Sequence, residues 1–289
     1  MLYDYKNCSL CPNDCNTDRT KNHGRCGVGD KVRIAKFYLH PFEEPIISDE
    51  KGSGTIFFCG CSLRCVFCQN YEVSRAQRGK EIDENQLADI FKTLEDEGAT
   101  NINLVTPTQF SLSIMKAIEI YKPKIPVVYN THGYEKSELI EKLCDYVDIF
   151  MPDLKYFSPL RAKRYCGKED YFSVAFNAVK FMIKKKRAVE ENGVLKSGVI
   201  VRHLVLPQNL DETQNILSAL RPEINDAYLS LMSQYTPFGE YEKYPELKRK
   251  ITRHEYERAK AIVENLDFQK VYYQDFESQS KKFIPDWDY

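Results

Sequence analysis

The sequence predicts an α/β protein, a partial or complete barrel of about six parallel βα units with a cysteine-rich N-terminal appendage. Three observations carry the prediction. From residue 54 onward, short apolar runs alternate with longer stretches of helical period. The chain has 289 residues, 43% of them apolar, which suffices to bury one core of barrel size. Most of its 10 cysteines crowd into the first quarter at close spacings.

The first strand is read at 55–58, a Thr-Ile-Phe-Phe run that leads straight into a cysteine-rich loop. Asp83 is placed to cap a helix: Gln86 follows three residues later, and Leu87, Ile90, Phe91 and Leu94 recur at helical spacing until Gly98. Strands at 101–105, 126–129 and 147–151 alternate with helices at 111–121 and 136–144. A helix at 170–187 buries Val174, Ala178, Val179, Met182 and Ile183, and 198–206 reads as a buried strand. Asp211 caps a helix to Leu220, and strands at 227–232 and 271–273 flank a last helix at 253–266. Such a series implies right-handed crossovers, with chemistry on the loops after the strands' C-terminal ends.

Residues 1–50 are polar and rich in Cys, Asn and Asp, and they end in Pro41, Pro45 and a turn-forming stretch at 48–52. They are expected as a loop-rich, metal-binding appendage to a barrel domain at 51–289. Lys and Arg number 41 against 42 Asp and Glu, so no net field draws the chain to nucleic acid or to an anionic membrane. The basic run Lys184 to Arg187 is a solvated helix end. The start of the chain lacks a signal-peptide pattern, and no apolar run approaches membrane-spanning length. A cytoplasmic location is expected, where crowded thiols bind metal rather than pair.

Cys61, Cys65 and Cys68 follow the first strand with the spacing C-x3-C-x2-C. Three thiolates from one loop suit an iron–sulfur cubane that keeps one iron for an external ligand, whereas a structural zinc site needs a fourth protein ligand. Cys59 reads as a core thiol rather than a fourth ligand. Cys8, Cys11, Cys15 and Cys26 offer four thiolates and hence a closed site. A [4Fe–4S] cluster, able to relay electrons, and a structural Zn²⁺ both fit it.

The C-x3-C-x2-C motif with Phe67 before its third cysteine resembles the signature of the radical S-adenosylmethionine (SAM) superfamily. Cys68-Gln69-Asn70 is similar to the pyruvate formate-lyase activating enzyme group, and the likeness to its PflX-like branch runs from about Cys8 to Ala261. It includes Gly52-Ser-Gly-Thr-Ile-Phe-Phe, Asn101-Ile-Asn-Leu-Val-Thr-Pro-Thr and Arg202-His-Leu-Val-Leu-Pro. The resemblance implies an oxidoreductase in which Cys61, Cys65 and Cys68 hold a catalytic [4Fe–4S] cluster with SAM on its open iron. Reductive cleavage of SAM would yield a 5′-deoxyadenosyl radical for hydrogen abstraction, from a glycine of a partner glycyl radical enzyme or from a peptide, RNA or small molecule. A flavodoxin- or ferredoxin-type reductant is implied as well. From a different class, a non-catalytic iron–sulfur electron carrier is the competing reading.

The same resemblance assigns further cofactor contacts. Phe67 belongs beside the cluster. Asn130, Thr131, Met151 and Asp153 would surround a monovalent cation next to SAM, although Asn130 stands where the group has an Asp. Lys155 would face the SAM carboxylate. Thr106 and Thr108 occupy the segment where activating enzymes carry Gly-Gly-Glu for the SAM amino group. His203, in a strand where either it or Arg202 faces inward, and Gln234, after a late strand, are SAM or substrate contacts or else core packing.

Overall fold

Apolar period decides which segments pair into a sheet, and the computed structural model carries that period into a single curved sheet covered by helices. It describes residues 3–48, 50–237, 241–279, 285 and 287; Asp49 of the predicted turn lies outside them. In chain order the elements are β1 (Val32–His40), β2 (Ser53–Phe58), α1 (Tyr71–Ser74), β3 (Lys80–Ile82), α2 (Glu84–Asp96) and β4 (Ile102–Val105). Next come α3 (Ser111–Ile120), β5 (Val127–Thr131), α4 (Ser137–Leu143), β6 (Ile149–Pro152), α5 (Pro159–Cys166) and α6 (Tyr171–Lys185). The series closes with β7 (Val189–Glu191), β8 (Val194–Leu204), α7 (Leu210–Leu220), β9 (Tyr228–Met232), α8 (Arg253–Asn265) and β10 (Val271–Tyr273).

The sheet order is β10-β9-β8-β6-β5-β4-β2-β1-β3, with β7 attached to β8. From β2 to β10 every neighbouring pair along this path is parallel. Among the described residues β10 and β3 are edges, so the barrel is partial and open, as the alternating pattern allowed. Residues 1–50, expected as loop, contain β1, which pairs antiparallel with β2 from Ile34↔Phe58 to His40↔Ser53. Its alternation is interrupted by a bulge between Ile34 and Lys36, and an interrupted period hides a strand from sequence reading.

Period two sorts the parallel strands cleanly. Val128, Ile149, Met151, Ile200 and Tyr228 point into the barrel, where Ile46 and Ile47 pack against them. Tyr129, Phe150, Val201, Leu229 and Leu231 point outward into the main core under the helices. Each such side chain removed from water contributes about 1.5–3 kcal/mol before entropy is charged against it. The helix starts are chemically defined: Asp83 accepts from Gln86 N–H at 2.9 Å while Gln86 Oε1 accepts from Asp83 N–H at 3.0 Å. Thr252 and Glu255 form the same reciprocal cap for α8.

Gly133 turns the chain after β5 with φ +80°, and a Cβ there would collide with the Asp153 carbonyl oxygen. Gly193 has φ +78° with no atom within 4 Å of the corresponding position. Gly193→Ala should therefore cost only about 1 kcal/mol of left-handed strain. Gly133→Ala should cost at least about 3 kcal/mol, because overpacking adds to the strain. Urea titration of the two variants checks the difference; equal losses would mean that the close approach to Asp153 is relieved at no cost.

Candidate active site

The C-terminal ends of the parallel strands surround a cavity of about 510 Å³. Phe57 reaches it from β2, Val105 from β4, Asn130 and Thr131 from β5, and Arg202 and Leu204 from β8. Asp153 and Lys155, just past β6, complete that wall, and the loop after β2 brings Cys61, Cys65, Phe67 and Cys68 to the same space. Cys59 turns away, buried, with its sulfur 3.2 Å from the Arg78 carbonyl oxygen.

Several contacts define the path of the cysteine loop. Gly60 has φ +80°, and a Cβ there would lie 2.6 Å from the Cys26 carbonyl oxygen. Cys61 N–H donates to that same carbonyl at 3.1 Å. The Gln109 amide donates to the carbonyls of Cys59, Gly60 and Thr106 at 3.0, 3.1 and 2.8 Å, tying the loop to the end of β4. Burial pushes the thiols of Cys61 and Cys65 up to about 12, opposed at Cys65 by the nearby Lys155 ammonium. Without metal they hold their protons, and as ligands to iron they would give them up. Three thiols on one cavity wall, with Cys59 withdrawn, fit a three-cysteine cluster that opens toward the cavity.

The opposite charges of the wall are paired. Lys155 Nζ donates to Asp153 Oδ2 at 2.5 Å, and Arg202 Nε donates to Asp153 Oδ1 at 2.8 Å. Arg202 Nη2 donates to Asn130 Oδ1 at 2.6 Å. The two cations hold the Asp153 carboxyl below its ordinary range against the burial that would raise it. Tyr171, from α6, accepts from Lys155 N–H at 3.1 Å, and its hydroxyl lies 2.9 Å from the carbonyl oxygens of His132 and Asp153. His132 Nδ1 accepts from Tyr134 N–H at 3.1 Å, so Nε2 carries the proton and donates to Ser62 Oγ at 2.8 Å. Burial and Lys155 push that imidazole down to about 3, and it stays neutral.

The cavity thus brings together Cys61, Cys65, Cys68, Phe67, Thr106, Asn130, Thr131, Asp153, Lys155 and Gln234. Three expected contacts lie elsewhere. Thr108 begins a short 3-10 turn that folds it into the core, where its hydroxyl donates to Glu135 Oε1 at 2.6 Å. Met151 belongs to the apolar interior of the barrel. His203 faces the helices, with Nδ1 donating to the Leu154 carbonyl at 2.7 Å and Nε2 2.9 Å from Thr213 Oγ1. Arg202 is therefore the inward member of that pair. Its signal in the sequence was a cation at the C-terminal end of an otherwise apolar strand. Gln109, His132 and Tyr171 had no such signal.

Of the N-terminal cysteines, Cys8 meets a buried guanidinium. Arg19, 2% exposed, points Nη1 at Cys8 Sγ, 3.7 Å away, and at the Gln109 carbonyl oxygen, 2.7 Å away. Asn13 Nδ2 lies 3.4 Å from Cys11 Sγ and 3.0 Å from the Ser62 carbonyl oxygen, and Arg25 N–H donates to Cys15 Sγ at 3.3 Å. The sulfurs of Cys15 and Cys26 both lie 3.6 Å from where a Cβ on Gly24 would stand. Among the described residues, no three His, Cys, Asp or Glu side chains are gathered tightly enough to hold a single ion. All 10 cysteines are free thiols.

A parallel partial barrel with a three-cysteine loop at its C-terminal face defines the class as iron–sulfur enzymes of radical type. Residues 55–220 match the radical SAM superfamily, and the chain belongs to it. Membership implies an enzyme that uses a [4Fe–4S] cluster and SAM. The chain is 31% identical over 278 residues to an uncharacterized protein of Methanocaldococcus jannaschii, covering 93% of this chain and 77% of that one. It is 24% identical over 192 residues to the pyruvate formate-lyase-activating enzyme of Clostridium pasteurianum, covering 62% of this chain and 72% of that enzyme. Streptococcus suis SuiB bound to S-adenosylmethionine superposes with a TM-score of 0.51 at 12% identity, over 77% of this chain and 47% of SuiB. SuiB bound to its precursor peptide SuiA gives 0.51 at 13% identity, over 74% and 46%. The chain spans about half the length of SuiB, and the likeness is one of fold. No helix among the described residues is long and apolar enough to cross a membrane.

Glu44 lines the cavity, buried, and accepts from Ser230 Oγ at 2.9 Å. Burial pushes its carboxyl from 4.5 up to about 7, with Arg202 opposing the rise. The folded state then holds a proton that the unfolded state has lost, so stability from this group is full below 4.5 and declines as pH rises through about 7. The decline amounts to about 3 kcal/mol. Glu44→Gln should remove it, leaving the variant more stable than the parent at pH 8 and equal to it at pH 4. Urea midpoints across that range test the sign; a parent that outlasts the variant at pH 8 contradicts it.

Proposed function

We propose that the chain cleaves SAM reductively at a cluster held by Cys61, Cys65 and Cys68, and directs hydrogen abstraction at a protein or peptide. The observation that carries this reading is one cavity lined both by the three thiols of Cys61, Cys65 and Cys68, the first two buried and the third half-buried, and by the Lys155–Asp153–Arg202 charge network. Bound there, a [4Fe–4S] cluster would supply the electron that splits SAM into methionine and a 5′-deoxyadenosyl radical. Lys155 offers an ammonium to the SAM carboxylate, oriented through Asp153 and the Tyr171 hydroxyl. Gln234 has its own side chain bonded to Gln274 at 2.7 Å and is held ready on the rim. Leu63, Phe67, Leu204 and Met232 keep the surrounding wall apolar and exclude water.

Activation of a glycyl radical partner is the finer reading, supported by the likeness to pyruvate formate-lyase-activating enzyme, and the PflX-like branch is its nearest setting. A peptide substrate is the second, favoured by the SuiB fold and its precursor-peptide complex. Cys8, Cys11, Cys15 and Cys26 are assigned a further metal group, a second [4Fe–4S] cluster or a Zn²⁺ that would draw the four thiols closer together. Residues 1–50 thus carry metal and 51–289 carry the SAM chemistry, with β1 as the strand that ties the two together. Free thiols throughout accord with a cytoplasmic setting and a flavodoxin- or ferredoxin-type reductant.

Anaerobic reconstitution with iron and sulfide, followed by dithionite and SAM, should release 5′-deoxyadenosine. Cys65→Ala should fall to the enzyme-free background. An intact cluster that releases no nucleoside would favour the non-catalytic electron carrier instead.

A further inference from the structure

The oxygens expected to ligate a monovalent cation beside SAM already hold one that is part of the chain. Arg202 donates through Nε to Asp153 Oδ1 at 2.8 Å and through Nη2 to Asn130 Oδ1 at 2.6 Å, and its Nη1 lies 3.7 Å from Glu43 Oε1. The second oxygen of Asp153 is taken by Lys155 at 2.5 Å. The Thr131 hydroxyl is spent on Glu135, and Met151 packs in the apolar interior. A monovalent ion does not fit this set.

Backbone register builds the arrangement. Asp153 and Arg202 are bridge partners across the ends of β6 and β8, and Leu154 N–H donates to the Arg202 carbonyl at 2.9 Å. Asn130 pairs with Met151 on the neighbouring strands β5 and β6. The guanidinium therefore enters between Asn130 and Asp153 along a route the sheet defines. Electrostatics closes the site further. Lys155 and Arg202 together balance the carboxylates of Asp153 and Glu43, so a further cation in this buried cavity would meet two positive charges and no uncompensated negative one. Asn130 in place of an Asp removes the additional negative charge that could have held it.

We infer that Arg202 is a positioning residue that supplies, from within the chain, the positive charge otherwise provided by a bound monovalent cation. SAM binding here needs no such ion. The inference rests on the SAM reading above.

The test uses the cluster-loaded protein under anaerobic conditions. SAM affinity is measured by calorimetry, and the effect of SAM on the electron paramagnetic resonance spectrum of the reduced cluster is followed in parallel. Both are recorded in potassium, sodium and tetramethylammonium chloride at equal ionic strength, along with melting temperatures. Wild type should bind SAM with the same affinity, within about twofold, in all three salts. Arg202→Met, accepted only with wild-type iron content and a cooperative melt, should lose at least about tenfold in tetramethylammonium. It should recover in potassium, which can now enter between Asp153 and Asn130.

Wild type that loses SAM in tetramethylammonium overturns the inference without any variant. So does an Arg202→Met protein that binds SAM equally in every salt, whether well or poorly. If wild type binds no SAM in any salt, the SAM reading itself fails. The melting temperatures then decide the cation question: saturable stabilisation of wild type by potassium overturns the built-in cation, and stabilisation confined to Arg202→Met supports it.

Discussion

A carboxylate buried at the end of a barrel strand cannot stand alone, and the site is organised around this constraint. Asp153 is ionised within the protein only because Lys155 and Arg202 each hold one of its oxygens. Removing one member of such a set leaves a buried charge unpaired, which costs about 3–5 kcal/mol. The carboxylate in turn orients both cations: Lys155 toward the cysteines, where its charge is felt at Cys65, and Arg202 toward Asn130. One residue past β6 thereby sets the electrostatics of the whole cavity wall.

The two cysteine groups are separate in sequence but share a backbone. The carbonyl of Cys26 receives the amide of Cys61, and Asn13 bridges Cys11 to the carbonyl of Ser62. Arg19 and the cysteine loop meet on Gln109, the first at its carbonyl and the second through its side-chain amide. Shape in one loop is therefore conditional on shape in the other, and β1 draws the N-terminal segment into the sheet itself. A stapled appendage and a barrel describe the sequence; the molecule joins them through hydrogen bonds that neither part could satisfy alone.

Much of the fold was legible because its cause is local. Helical and two-residue periods, the Asp83–Gln86 cap and glycine stops are properties of short stretches, and each predicted parallel strand lies where its apolar run does. Strand β1 escaped because its bulge breaks the period, and α1, α5, β3 and β7 carry too few apolar residues to show one. Cysteine spacing put three thiols on one loop after a strand, which is again a local fact.

The sequence by itself determined the alternation of strands and helices, the two thiol groups and the superfamily resemblance, because spacing and periodicity are carried along the chain. Only the tertiary structure decided which residues meet. Period two requires Arg202 and His203 to face opposite ways but leaves the sign free, and the register of β8 against β6 settles it by setting Arg202 beside Asp153. Likewise the turn after β4 sends Thr108 into the core toward Glu135 while Thr106 stays on the cavity. Direction across a sheet depends on strands distant in sequence, and no single stretch of chain encodes it.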